Sequence, residues 1–204
     1  MAVNCAVIYY SATGTTYELA RAIEEGAKST GAEVRLRKVK ELAPDEAIAT
    51  NQGWAAHRLE TQHVPEATLA DLEWADAIIF GTPTRYGLPS AQLKQFIDSS
   101  GPLWAQGKLV SKFGSSFTSA ATVHGGQETT IVALNNTFYH WGCIIVPPGY
   151  ADPIQFQAGN PYGTSFASNN GAAKPDDVPR AAGRFQGKRV AEIAAQFLAG
   201  AKQG

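Results

Sequence analysis

Val3-Asn4-Cys5-Ala6-Val7-Ile8-Tyr9 runs directly into Tyr10-Ser11-Ala12-Thr13-Gly14-Thr15-Thr16. At that junction the residue pattern changes from strand to helix. The first part is an almost continuous apolar run with β-branched residues, the pattern of a strand buried on both faces in a parallel sheet. From Thr15 to Gly31 the period changes, and Leu19, Ala20, Ile23 and Ala27 share one helical face with Gly31 as the stop. Glu33 to Val39 then alternates apolar and polar, as a half-covered edge strand does. The chain therefore opens as strand, helix, strand.

The same reading carries on outward. Ala70 to Trp74 reads as a short helix, and Ala75 to Pro83 as a second strongly buried strand. Pro89 to Ser100 is a helix with Leu93, Phe96 and Ile97 on one side. Lys112 to Ser119 is a strand, Glu128 to His140 a helix, and Cys143 to Pro147 a third buried strand. Arg180 to Leu198 closes as an amphipathic helix, with Phe185, Val190, Ile193 and Phe197 expected inward. This alternation predicts an α/β fold: a doubly wound, five-stranded parallel sheet with helices on both faces and right-handed crossovers. Residues 1–204 are expected to form one domain. Residues 44–65, which hold Trp54, His57 and His63, and residues 152–179, rich in Gly, Asn, Pro and Ser, read as irregular insertions.

Composition narrows the function. The 204 residues carry a formal net charge of -1, which gives no global attraction to nucleic acid. Cys5 and Cys143 sit in apolar runs and read as buried free thiols, and no metal-ligand spacing or disulfide framework can be built from them. Val3 to Tyr9 is too short for a signal segment or a membrane span, so no membrane insertion and a cytoplasmic location are expected.

Three loops carry the chemistry, and all follow carboxyl ends of expected strands. Ser11, Ala12, Thr13, Gly14, Thr15 and Thr16 place four hydroxyls and one glycine at a helix N-terminus, where free N–H groups and the helix dipole make an anion site. The lysine of a P-loop is absent, which suits a phosphate monoester held by neutral donors. The second loop is Gly81-Thr82-Pro83-Thr84-Arg85-Tyr86-Gly87. Tyr86 is placed to lie beside a flat ring, and Arg85 to face negative charge on it. The third, Thr118-Ser119-Ala120-Ala121-Thr122-Val123-His124-Gly125-Gly126, is small, polar and ends in glycine. In doubly wound sheets, ligands bind outside the carboxyl ends of the strands at the switch point. Trp104 and His140 are further candidates. His57, His63 and His124 show no usable spacing and are expected at the surface.

With these loops in place, the chain resembles the WrbA family of flavodoxin-like NAD(P)H:quinone oxidoreductases. The matching strings are Tyr9-Tyr10-Ser11, Ile78 to Gly87 (IIFGTPTRYG), Gly125-Gly126-Gln127-Glu128, Ile145 to Tyr150 (IVPPGY) and Asn160-Pro161-Tyr162-Gly163. The resemblance spans nearly the whole chain. It implies a flavodoxin-like sheet of order 2-1-3-4-5, non-covalent FMN, NADH or NADPH as co-substrate, a quinone as acceptor, and a homotetramer with each flavin near a subunit interface. By position it places the phosphate loop on Ser11 to Thr16, a loop along the ring on Thr84, Arg85 and Tyr86, and a ribityl and ring-edge loop on Ser119 to Gly125, with Pro83, Gly87 and Thr118 as further cofactor-binding candidates. It assigns Trp104 to the substrate side and His140 beside the flavin, where His140 acts either as general acid to the quinone or as donor to the ring. Thr13 stands where the family often has an aromatic residue. An electron carrier that docks to redox proteins is the alternative function, and the near-neutral charge argues against it.

Overall fold

The computed structural model describes residues 2–200. In chain order the elements are β1 (Asn4–Tyr9), α1 (Thr15–Lys28), β2 (Glu33–Lys38), α2 (Asp45–Ala49), α3 (Gln52–Glu60), α4 (Leu69–Trp74), β3 (Ala77–Pro83), α5 (Ala91–Asp98), α6 (Gly101–Ala105), β4 (Phe113–Ala120), α7 (Gln127–Trp141), β5 (Ile144–Ile145), α8 (Pro153–Ala158), β6 (Ser165–Ala167) and α9 (Asp177–Gly200). All strand pairs are parallel, in the order β2-β1-β3-β4-β5, as the resemblance implied. A sixth strand departs from the expected five: β6 pairs with Thr118–Ala120 at the far end of β4, while β5 pairs with Phe113 and Gly114 at its start. Two short segments thus share the edge of one long strand.

Why the central strands bury is plain from their side chains. β1, β3 and β4 are almost entirely buried, and β2 at the edge is half-buried. One face of the sheet, with Val7, Tyr9 and Ile79, packs on Leu19, Ile23, Val190 and Ala194 from α1 and α9. The other, with Ile8, Ile78 and Phe80, packs on Leu72, Leu93, Phe96 and Phe138 from α4, α5 and α7. Cys143 to Pro147 is not a fully buried strand: only Ile144 and Ile145 pair, and Ile144 is exposed. The inward face of α9 also differs from expectation. Ala182, Gly183, Gln186, Gly187, Val190 and Ala191 are buried, whereas Phe185 is half-buried and Phe197 exposed. The cause is close approach to α1: a β-carbon on Gly187 would overlap the carbonyl oxygen of Ile23, and one on Gly26 that of Arg184. Small residues take the contact that a phenylalanine would prevent.

The two insertions hold more structure than expected. Residues 44–65 contain α2 and α3, the latter capped by Asn51, whose side chain accepts from Trp54 N. Residues 152–179 contain α8, β6 and the start of α9. Cys5 is buried and Cys143 half-buried, and burial pushes both thiols up to about 12, so both stay protonated at neutral pH. No helix among the described residues is long and apolar enough to cross a membrane.

Candidate active site

β1 ends at Tyr9, and the chain turns through Ser11 to Gly14 into α1. Gly14 is the N-cap with φ 96°, a left-handed conformation that glycine adopts without penalty. Its N–H donates to Ser11 Oγ at 3.1 Å, which closes the loop. No side chain caps α1. The N–H groups of its first turn therefore remain free for an anion, at the positive end of the helix dipole. The Thr16 hydroxyl is buried and shares a hydrogen bond of 2.8 Å with Ser119 Oγ, so the first loop is tied to the end of β4.

Thr84 fastens the other two loops together. Its N–H donates to Ser119 O at 2.7 Å, and its hydroxyl accepts from Thr130 Oγ1 at 2.6 Å and from Gly87 N at 3.2 Å. Arg85 and Leu88 exchange backbone hydrogen bonds of 2.8 and 3.0 Å across a tight turn. At its tip Tyr86 is held at φ 55°, unusual for a side chain of that size, with its ring fully exposed.

Between these loops opens a crevice of about 870 Å³. That lies within the range of small-molecule sites, roughly 300–1,000 Å³. Ser11, Ala12, Thr13, Thr15 and Thr16 line one side, Pro83, Thr84, Arg85 and Tyr86 another, and Ser119, Ala120 and Gly125 a third. Gly14 and Gly87 hold turns behind this wall. Thr118 points into the sheet, where its hydroxyl donates to Thr82 O at 2.6 Å. Among the described residues, the Arg and Lys side chains on the wall are Arg85 and Lys174. An uncapped helix N-terminus with hydroxyl donors fits a phosphate monoester, and the crevice that Tyr86 borders has room for a flat ring.

Two segments that sequence reasoning missed complete the crevice. Asn51, Gly53, Trp54, Ala56, His57 and Glu60 of the α3 segment line it, as do Ser168, Asn170, Gly171 and Lys174 after β6. Both follow carboxyl ends of strands and both are long, the two signals by which they could have been found. His57 is buried, contrary to the surface expected for it, because α3 lays its ring 5.4 Å from that of Tyr17; His63 and His124 are exposed. Glu41 holds α3 in place. Its carboxylate accepts from Tyr10 Oη at 2.9 Å, Trp54 Nε1 at 3.0 Å and Gln92 Nε2 at 2.9 Å, and from the N–H groups of Leu42 and Ala43. Burial pushes this carboxyl up, but the hydrogen bonds, led by that from Ala43, outweigh it and hold it below the usual range.

Trp104 and His140 do not join the crevice of their own chain. α7 starts beside the third loop and runs back along the sheet for 15 residues, a rise of about 22 Å. His140 therefore lies at the amino-terminal end of the strands, exposed, with its carbonyl accepting from Trp104 Nε1 at 3.0 Å. The two expected partners meet each other, at the end of the sheet opposite Tyr86.

Residues 4–156 match the family model described as NADPH-dependent FMN reductase. A Deinococcus radiodurans protein named NAD(P)H dehydrogenase (quinone) is 46% identical over 197 residues, covering 96% of this chain and 98% of that protein. A Sinorhizobium fredii protein of the same name is also 46% identical over 197 residues, 94% and 96% of the two chains. Among solved structures, a WrbA-like flavodoxin from Agrobacterium tumefaciens superposes with a TM-score of 0.69 at 29% identity, covering 96% of this chain and 99% of its own. The chain belongs to the family of NADPH-dependent FMN reductases, on the WrbA-type branch of flavodoxin-like NAD(P)H:quinone oxidoreductases.

Proposed function

We propose that this protein catalyses FMN-dependent two-electron reduction of quinones by NADH or NADPH. The observation that carries the reading is the uncapped N-terminus of α1 facing the same crevice as Arg85 and Tyr86. The names of the curated relatives support the substrates. Bound FMN supplies the hydride acceptor and donor chemistry. The chain's own part is to bind, orient and exclude. The first-turn N–H groups of α1, with the hydroxyls of Ser11, Thr13 and Thr15, hold the phosphate. Thr16 and Thr84 lock the three loops in register through Ser119. Arg85 would offer a positive charge at the rim of the crevice, suited to negative charge on a bound ring. Tyr86 walls one side of the slot.

Trp104 and His140 act from a neighbouring subunit in this reading. The amino-terminal end of the sheet exposes Trp104, Val110, Tyr139 and Ile144 around one hydrogen-bonded junction, an apolar surface that a symmetric partner covers. A homotetramer that sets this end against the crevice of another copy brings Trp104 to the substrate slot and His140 within reach of the quinone or the ring. Nicotinamide and quinone then use one slot in turn, and turnover is ping-pong. The location is cytoplasmic in this reading.

Stopped-flow mixing of the FMN-loaded protein with NADH, and then with benzoquinone, tests this directly. Bleaching of the oxidised flavin by NADH and its return on adding quinone is expected, with parallel steady-state lines against both substrates. Flavin that NADH and NADPH both leave oxidised would overturn the activity, and intersecting lines would overturn the shared slot.

A further inference from the structure

His57 is a buried ionisable group that the reaction as described leaves unused. It is 5% exposed, yet it borders both the flavin crevice and a second cavity of about 230 Å³ beneath α3. Its ring backs the phosphate loop: a β-carbon built on Gly14 would lie 3.4 Å from His57 Nδ1. The N–H and hydroxyl groups of Thr61 both donate to the His57 carbonyl, which pins the turn of α3 carrying it. The side chain itself is barely committed. Among the described residues its polar contact is Nδ1 to Glu60 Oε2 at 3.5 Å, the outer limit of a hydrogen bond.

The charges around it favour a response to an incoming anion. Glu60 on its own helix and Glu18 on α1 favour the imidazolium, while Lys38 on β2 opposes it. Tyr17 on α1 stacks obliquely on the ring, and the adjacent Arg58 is turned to Asp45 at 2.6 Å. Burial is the largest influence and holds His57 below its ordinary value, so it is neutral in the free protein at pH 7. The six residues Ser11 to Thr16 contain no Lys, Arg or His. A phosphate monoester, with a second ionisation near about 6, would bring up to two negative charges to the loop that His57 backs.

We propose that His57 is a positioning residue of the phosphate loop that takes up a proton from solvent when the FMN phosphate docks, so that its contribution to holding FMN grows as pH falls. The sign follows from linkage. The bound phosphate stabilises the imidazolium and raises its ionisation point above that of the free protein. Between those two points, binding carries a proton uptake, and affinity rises with acidity. Above both, His57 is neutral in either state and contributes only packing.

The inference rests on FMN as the cofactor, and the test separates the two. The full-length protein loaded with FMN is diluted stepwise at pH 6 to 8.5, and the fluorescence of freed flavin reports the dissociation constant. Riboflavin, which lacks the phosphate, serves as the second ligand. Wild type should hold FMN about ten-fold or more tighter than His57→Gln at pH 6, with the ratio closing to about two-fold by pH 8.5. Riboflavin should bind both proteins alike. Glu60→Gln, which keeps the imidazole and removes a carboxylate that favours its charge, should move the rise in affinity to lower pH. A ratio that does not change with pH, or an equal loss for riboflavin, would overturn the role of His57 and leave FMN binding intact. A wild-type protein that does not retain FMN would take down the cofactor reading and this one together.

Discussion

The two ends of one sheet are built from opposite materials. At the carboxyl end, β1, β3 and β4 run out into hydroxyls, glycines and an uncapped helix start. Polar groups there are held to one another across loops, as Thr16 is to Ser119 and Thr84 to Thr130, and a row of N–H donors is left free. At the amino end the backbone is closed: Phe113 N donates to Asp76 O, Ile144 N to Lys112 O, and Ser111 N to Gly142 O. Among the side chains that end leaves exposed is a group of apolar ones, Trp104, Val110 and Tyr139 above all. One end has spare hydrogen-bonding capacity for a small anionic ligand, and the other has spare apolar area for a protein surface. Trp104 and His140 lie at the second of these ends, away from the crevice.

The comparison breaks if the ends are not separable by mutation. Replacing Thr15 and Thr16 together with Ala removes a donor from the crevice and the tie to Ser119. Hydrogen bonds to charged groups contribute about 1.5–3 kcal/mol each, so FMN affinity should fall by roughly ten-fold or more, with the sedimentation profile unchanged. Unaltered affinity in a fluorescence titration would place the phosphate elsewhere. Trp104→Ala should act in the reverse sense. Truncating an aromatic anchor at the centre of an interface costs about 2 kcal/mol or more. The assembly should therefore dissociate at higher concentration, and quinone turnover should drop, while FMN is retained. A Trp104→Ala protein that sediments and turns over quinone as wild type does would return the amino end to a passive surface.

Much of this arrangement was legible in the sequence, and the failures have physical causes. Buried strands announce themselves, because a strand covered on both faces has no polar side to show; Val3 to Tyr9 and Ala77 to Phe80 are of this kind. The three loops were legible because hydroxyls and glycines gather where a backbone must approach a ligand. α2 and α3 were not, because their stability is tertiary: Glu41 grips Trp54, and Lys38 Nζ donates to Thr61 O at 2.7 Å. β6 is three residues long and exists through its pairing with β4. The inward face of α9 misled because Gly183 and Gly187 draw α1 too close for Phe185 and Phe197 to enter. Trp104 and His140 were assigned their roles beside the flavin by resemblance, but residue identity carries no distance. Their place follows only once α7 is seen to run back toward the start of β4.

A milder change sharpens the same contrast at the carboxyl end. Glu41→Gln keeps the size of the side chain but replaces one acceptor oxygen with an amide nitrogen. Tyr10, Trp54, Gln92 and two backbone N–H groups now compete for the acceptor that remains. A donor left unpaired in a half-buried site costs about 1–3 kcal/mol. Partial solvent access at Glu41 puts the expectation at the lower end of that range, read as a shift in the urea midpoint at pH 7.5. The pH dependence fixes the cause. Glu41 is held below its ordinary 4.5 in the folded chain, so its contribution is complete above that value and fades as pH falls through the folded one. Wild type should therefore lose stability on acidification below about 4.5, and Glu41→Gln should lose less over the same interval, so the gap between them narrows in acid. Asp71 is depressed too: burial pushes it up, but its bonds from Thr68, the charge of Arg37 and the hydrogen bond from Arg35 outweigh that. It contributes an acid limb of the same sign that both proteins share, and subtracting one curve from the other removes it. A gap of constant width from pH 7.5 down to pH 3.5 would mean that Glu41 works through shape alone, and that α3 stays over the phosphate loop without the charge.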